Sequence, residues 1–213
     1  MTPPVTAKRP TCPQCLRPQC TCICRWITPT SHTTEVLILQ HPLEEHEAKN
    51  SARLLHLSLP GSRISVGETF DDAALHALMP EPKYNVLLYP PTQHSGHAAP
   101  AALSTARLQD LSQVRLIVLD ATWRKSRKML HQSAALQQLS RLPLKDAAAS
   151  VYAIRKAHTP GQLSTLEATC AALAQLEGNP EKFATLLQAF RGFVGQQMAR
   201  SSAARCADFT CPF

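Results

Sequence analysis

The chain has 213 residues, enough for one domain with a sizeable core and a small appendage. Lysine and arginine outnumber the acids 22 to 15, a formal charge of +7, which favours polyanionic partners without proving one. Apolar runs such as "VLIL" and "LIVL" fall far short of the roughly 18 residues that span a bilayer, and "MTPPVTAKRPTCPQC" lacks a hydrophobic signal core. The expectation is a soluble, cytoplasmic protein with no membrane partner.

Five of the eight cysteines lie in "CPQCLRPQCTCIC", residues 12–24, spaced C-x2-C-x4-C-x-C-x-C. In a cytoplasmic chain this supplies thiolates for a tetrahedral zinc site, a redox switch or unligated thiols being the alternatives. Only four of the five can hold one ion. The cluster, residues 10–26, is the expected appendage, followed by a main domain over 33–200 and a tail over 201–213.

Beyond it, "EVLILQ" (35–40), "NVLLYP" (85–90), "VRLIVLD" (114–120) and "SVYAIR" (150–155) are continuous apolar runs, the pattern of strands buried on both faces. Between them, residues 43–59 carry Ala48, Ala52, Leu55 and Leu59 at helical spacing, and residues 163–178 carry Leu166, Cys170, Leu173 and Glu177. A last helix over 180–199 opens with Pro180 in its first turn. Strand and helix alternate as in an α/β fold with a parallel sheet.

Ligands of open α/β sheets sit beyond the carboxyl ends of the strands. There the sequence places "QHPLEEHEAKNSARLL", "YPPTQHSGH", "DATWRKSRK" and "KAHTPGQLSTLEA". Asp120 ends a strand, and its simplest role is a helix N-cap. Trp123 could close the core. Ser164 and Glu167 have capping-box spacing. Arg124, Arg127, Lys128 and His131 share one helical face, either solvated or phosphate-binding.

The cysteine knuckle, "HPLE" with "NSARLL", "DATW" and "STLEA", in this order, resemble the motifs of the DTW-domain family. The resemblance implies a SPOUT-like α/β fold, knotted at the cofactor site. It also implies transfer of the 3-amino-3-carboxypropyl group of S-adenosylmethionine to N3 of a tRNA uridine, in bacterial members a variable-loop uridine. Aligning the family's Arg-Pro on Arg17 and Pro18 makes Cys12, Cys15, Cys22 and Cys24 the zinc ligands and leaves Cys20 over, although Cys20 could replace either neighbour.

Deprotonating uridine N3 needs a base, and Asp120, expected to be partly buried against Trp123, is the candidate. Gln40, His41, Pro42, Tyr89, Pro90, Asp120, Ala121, Thr122, Trp123, Ser164, Thr165 and Glu167 are the expected contacts of S-adenosylmethionine. Arg53, Arg124, Lys125, Arg127 and Lys128 are the expected grip on tRNA phosphates. A SPOUT-like RNA methyltransferase and a non-catalytic, zinc-dependent RNA-binding module are the rival readings. Oligomeric state is left open.

Overall fold

A computed structural model describes main chain and side chains of residues 10–90, 100–145 and 163–200, and the main chain of 201–207. Among these, β1 (Glu35–Gln40), β2 (Arg63–Val66), β3 (Tyr84–Leu88), β4 (Val114–Asp120) and β5 (Ser140–Leu142) form one sheet in the order β2-β1-β4-β3-β5. Every pairing is parallel. The α/β expectation with a parallel sheet is met. The run at 150–155 lies outside the described residues.

The apolar runs became central strands because both of their faces are covered. Val36, Ile38, Leu116 and Val118 point to one side, against α2 (Ala52–Ser58), α6 (Thr165–Glu177) and α7 (Ala184–Ala207), which contribute Leu54, Leu55, Leu166, Leu173, Phe190 and Phe193. Leu37, Leu39 and Ile117 point to the other, against α3 (Asp72–Leu78), α4 (Trp123–Gln132) and α5 (Ala134–Gln138), through Leu75, Met129, Leu130 and Leu136. Alternate residues of one strand therefore feed two cores, a three-layer sandwich.

Two helix expectations change, and two strands come from segments with no strand pattern. The helix expected over 43–59 is two, α1 (Pro42–Glu45) and α2, separated by residues 46–51. Ala48 is exposed in that break, and the Asn50 side-chain oxygen accepts from the amides of Ala52 and Arg53 at 2.9 and 3.3 Å, starting α2 afresh. The last helix begins at Ala184 rather than near Pro180 and continues to Ala207, into the expected tail. β2 and β5, the two sheet edges, are four and three residues long and carry no apolar run.

The cysteine knuckle shares the core of the main domain. Cys15 and Ile23 are buried with the α2–α6–α7 side chains, and Trp26 Nε1 donates to Gln196 of α7 at 2.5 Å. Gly192 of α7 leaves the space the Trp26 ring fills, since a Cβ there would fall within the ring.

Candidate active site

Strand order fixes where the sheet opens. From β1 the chain leaves toward β2 on one side, and from β4 it leaves toward β5 on the other, so the crevice lies between the carboxyl ends of β1 and β4. Register places Gln40 beside Asp120 at that end and Glu35 beside Arg115 at the opposite one.

Asp120 is 3% exposed. Its Oδ2 accepts from Gln40 Nε2 at 2.8 Å and Asn50 Nδ2 at 2.6 Å, and its Oδ1 accepts from Thr165 Oγ1 at 2.7 Å. A carboxylate offers about four lone-pair directions, and these neutral donors take two on Oδ2 and one on Oδ1. Burial pushes the Asp120 carboxyl above its ordinary value, against the lowering effect of Thr165, Gln40 and Asn50, and nearby Glu44 adds to the rise. Asp120 caps no helix: Thr122 is the N-cap of α4. Gln40, Asn50 and Thr165 are the side chains that hydrogen-bond Asp120.

Asn50 and Glu44 are the residues that site-by-site sequence reasoning passed over, although both lie inside the motifs "NSARLL" and "HPLE". Asn50 turns its Oδ1 to the start of α2 and so has its amide nitrogen free for Asp120. Glu44, itself buried, receives Lys125 Nζ at 3.0 Å.

Trp123 is 53% exposed, so it does not close the core. Its indole stacks on the buried Tyr89 ring with centroids 5.3 Å apart and planes 14° from parallel, and the Arg141 guanidinium lies over the Tyr89 ring, 5.7 Å from its centroid. Tyr89 follows β3 and Trp123 follows β4, so the aromatic pair stands at the carboxyl ends of the strands.

His41, buried, caps α1 by accepting from Leu43 N at 3.1 Å, with Pro42 in the first turn. Pro90 is exposed beside Tyr89, and Ala121 and Thr122 are half-buried next to Asp120. Ser164 and Glu167 form the reciprocal capping box of α6, at 3.2 and 2.9 Å, which occupies the Ser164 hydroxyl and one Glu167 oxygen. The expected phosphate grip divides. Arg124 and Arg127 are exposed and, among the described residues, pair with no carboxylate. Lys125 is tied to Glu44 and Lys128 to Glu68, at 3.0 and 2.5 Å. Arg53 donates to the Gln14 carbonyl in the knuckle at 3.1 Å.

The thiol sulfurs of Cys12, Cys15, Cys22 and Cys24 all lie within 4.8 Å of one another. Cys12 and Cys24 are 3.5 Å apart, Cys15 and Cys22 3.8 Å, too far for disulfides and close to the roughly 3.8 Å edge of a tetrahedron with 2.3 Å zinc–sulfur bonds. Backbone amides of Cys15 and Gln14 lower the Cys12 thiol to about 6, while burial pushes Cys24 up. The set fits a thiophilic ion. Cys20 is exposed and outside it. Cys170 is a core thiol, raised to about 12 by burial.

A parallel α/β domain with a buried carboxylate at its switch point, an aromatic pair beside it and a four-thiolate metal-type knuckle defines a class of small-molecule or nucleotide-handling proteins. Within that class the chain belongs to the DTW-domain family, whose domain matches residues 9–198. It is 31% identical over 194 residues to tRNA-uridine aminocarboxypropyltransferase 2 of Drosophila melanogaster, covering 85% of this chain and 72% of that one. It is 28% identical to the protein of the same name in Mus musculus, over 93% and 67% of the two chains. The tRNA-uridine aminocarboxypropyltransferase A of Arabidopsis thaliana is 29% identical over 142 residues, 59% of this chain and 52% of that one. No solved structure matches the chain significantly.

Proposed function

We propose that this protein transfers the 3-amino-3-carboxypropyl group of S-adenosylmethionine to N3 of a tRNA uridine, in the variable loop, with Asp120 as the base. The observation that carries the reading is the buried Asp120 carboxylate, held by neutral donors from Gln40, Asn50 and Thr165 at the switch point. The names of the relatives supply the substrate class and reaction.

Uridine N3 is a poor nucleophile until it loses its proton, which passes to Asp120 Oδ1. The N3–Cγ bond forms as the Cγ–sulfur bond breaks, and the bonding pair returns to sulfur. The sulfonium leaves as neutral methylthioadenosine, so no acid is needed on the leaving side. Positioning carries the rest of the rate. The half-exposed Trp123 indole, backed by Tyr89, is the platform on which a nucleobase stacks, the target uridine being unstacked from its tRNA. Arg124 and Arg127 grip neighbouring phosphates.

The donor's remaining contacts fall to the strand-end segments at Gln40, His41 and Pro42, at Tyr89 and Pro90, at Ala121 and Thr122, and at Thr165. We assign Ser164 and Glu167 to holding the amino end of α6 toward this crevice. Zinc is the ion that the Cys12, Cys15, Cys22 and Cys24 thiolates would hold, a closed structural site. Such thiolates need a reducing compartment, which the cytoplasm provides. A SPOUT-like knot at the crevice belongs to the same proposal, supported by the family resemblance and the all-parallel strand order.

The test is the small product formed with S-adenosylmethionine and tRNA. Methylthioadenosine from the unaltered protein, and none from Asp120→Asn with donor binding retained, is the expected result. S-adenosylhomocysteine would make the protein a methyltransferase, and neither product with any tRNA would leave an RNA-binding module.

A further inference from the structure

Arg17 stands between the knuckle and the crevice. Its carbonyl accepts from Cys12 N at 2.8 Å, within the knuckle. Its side chain crosses to the break between α1 and α2, donating through Nη1 to the Ala48 carbonyl at 2.5 Å and through Nη2 to the Asn50 carbonyl at 3.1 Å. The guanidinium also lies 5.5 Å from the centre of the Phe193 ring of α7, which limits its freedom. Asn50 in turn donates to Asp120 at 2.6 Å. Residues 46–51 have no strand or helix of their own to fix them, so a forked cation on two of their carbonyls is a strong local constraint.

We propose that Arg17 is a positioning residue for the reaction: anchored by the cysteine knuckle, it holds the 48–50 backbone so that the Asn50 amide meets the Asp120 carboxylate. The knuckle then serves the chemistry as well as the fold, and loss of its ion slows transfer even where tRNA still binds. This rests on the reading of Asp120 as the base. Arg53, donating to Gln14 from α2, is a second clasp across the same junction. A lysine at 17 would keep the charge but could not span both carbonyls in one plane.

The experiment combines single-turnover transfer with amide hydrogen exchange on full-length, zinc-loaded Arg17→Ala, Arg17→Lys, Asn50→Ala and the Arg17→Ala/Asn50→Ala pair. The expected loss for Arg17→Ala is on the order of tenfold to a hundredfold in rate, with tRNA affinity, its salt slope and zinc content unchanged. The double variant should be no slower than Asn50→Ala, and Arg17→Lys should recover part of the rate. The amides of Ala52 and Arg53, which donate to Asn50, should exchange about tenfold faster in Arg17→Ala or Arg17→Lys while knuckle amides stay protected. Additive rate losses, unchanged exchange at Ala52 and Arg53, or a loss confined to tRNA affinity with a shallower salt slope would overturn the coupling. Full transfer by Asp120→Asn would instead overturn the reading of the base, which the exchange data do not depend on. If Arg17→Ala fails to fold, Arg17→Lys with the exchange measurement decides.

Discussion

Asp120 is surrounded by neutral donors, with Glu44 the charged group close by and Lys125 paired to it. Its raised carboxyl makes ionisation a cost to the folded state. That cost is absent below the ordinary value of 3.8 and complete above the raised one. Asp120→Asn should therefore lower transfer by roughly a thousandfold while raising the melting temperature at pH 8, a gain that disappears in acid. Parallel activity and melting series would check both signs. In the unaltered enzyme kcat/KM should fall as pH drops through the raised value. Trp123→Ala should raise KM for tRNA about tenfold, the worth of one stacked base, with little change in melting because the indole is half in solvent. Sequence motifs marked Asp120 and Trp123. They could not show that Asp120 is hydrogen-bonded by Asn50, seventy residues away, because that contact depends on how α1 and α2 are broken apart.

At the level of elements, the β1–β4 pair is bipolar. Five residue steps from the crevice, about 17 Å, Glu35 binds the fully buried Arg115 at 2.8 Å and Arg63 at 2.5 Å, with Lys83 at 3.2 Å. Burial raises the Glu35 carboxyl, but the bonds from Arg115 and Arg63 outweigh it and bring it down to about 2. Stability from this cluster is complete above 4.5 and is lost as pH falls through about 2. Glu35→Gln should cost about 2–3 kcal/mol at neutral pH, less than a wholly buried pair because Glu35 keeps some water, and leave kcat per folded molecule unchanged. Denaturant melts at pH 7 and pH 3 should show the deficit shrinking in acid. On α4, reversing Arg124 and Arg127 together to Glu should weaken tRNA binding and reduce the salt slope by about two. Lys125→Ala should act on stability instead, through loss of its ion pair with the buried Glu44. The helical periodicity of α4 was legible, but the split of its cations between carboxylates and solvent was not, since Glu44 comes from α1 and Glu68 from the loop after β2.

For the whole molecule, central strands were readable because burial on both faces writes an uninterrupted apolar run, as in β1 and β4. The edge strands β2 and β5 leave no such mark, and without them neither the strand order nor the switch point between β1 and β4 could be drawn. The knuckle's ligands followed from the family's Arg-Pro alignment, and the geometry brings together the same four sulfurs. Its place in the core could not be read, because Trp26 and Gly192 are 166 positions apart and meet only when α7 is folded. No helix among the described residues is long and apolar enough to cross a membrane. With Cys15 and Ile23 in the main core, chelation should lower the melting temperature by on the order of 10 °C, and a calorimetric scan that ignored chelation would make the thiolate cluster dispensable to the fold.

The most direct test of the central claim is mass spectrometry of nucleosides from unmodified tRNA transcripts incubated with the purified protein and S-adenosylmethionine. One variable-loop uridine should gain a single aminocarboxypropyl group, and stay unmodified with Asp120→Asn. A methylated nucleoside, or an equal yield from Asp120→Asn, would contradict it.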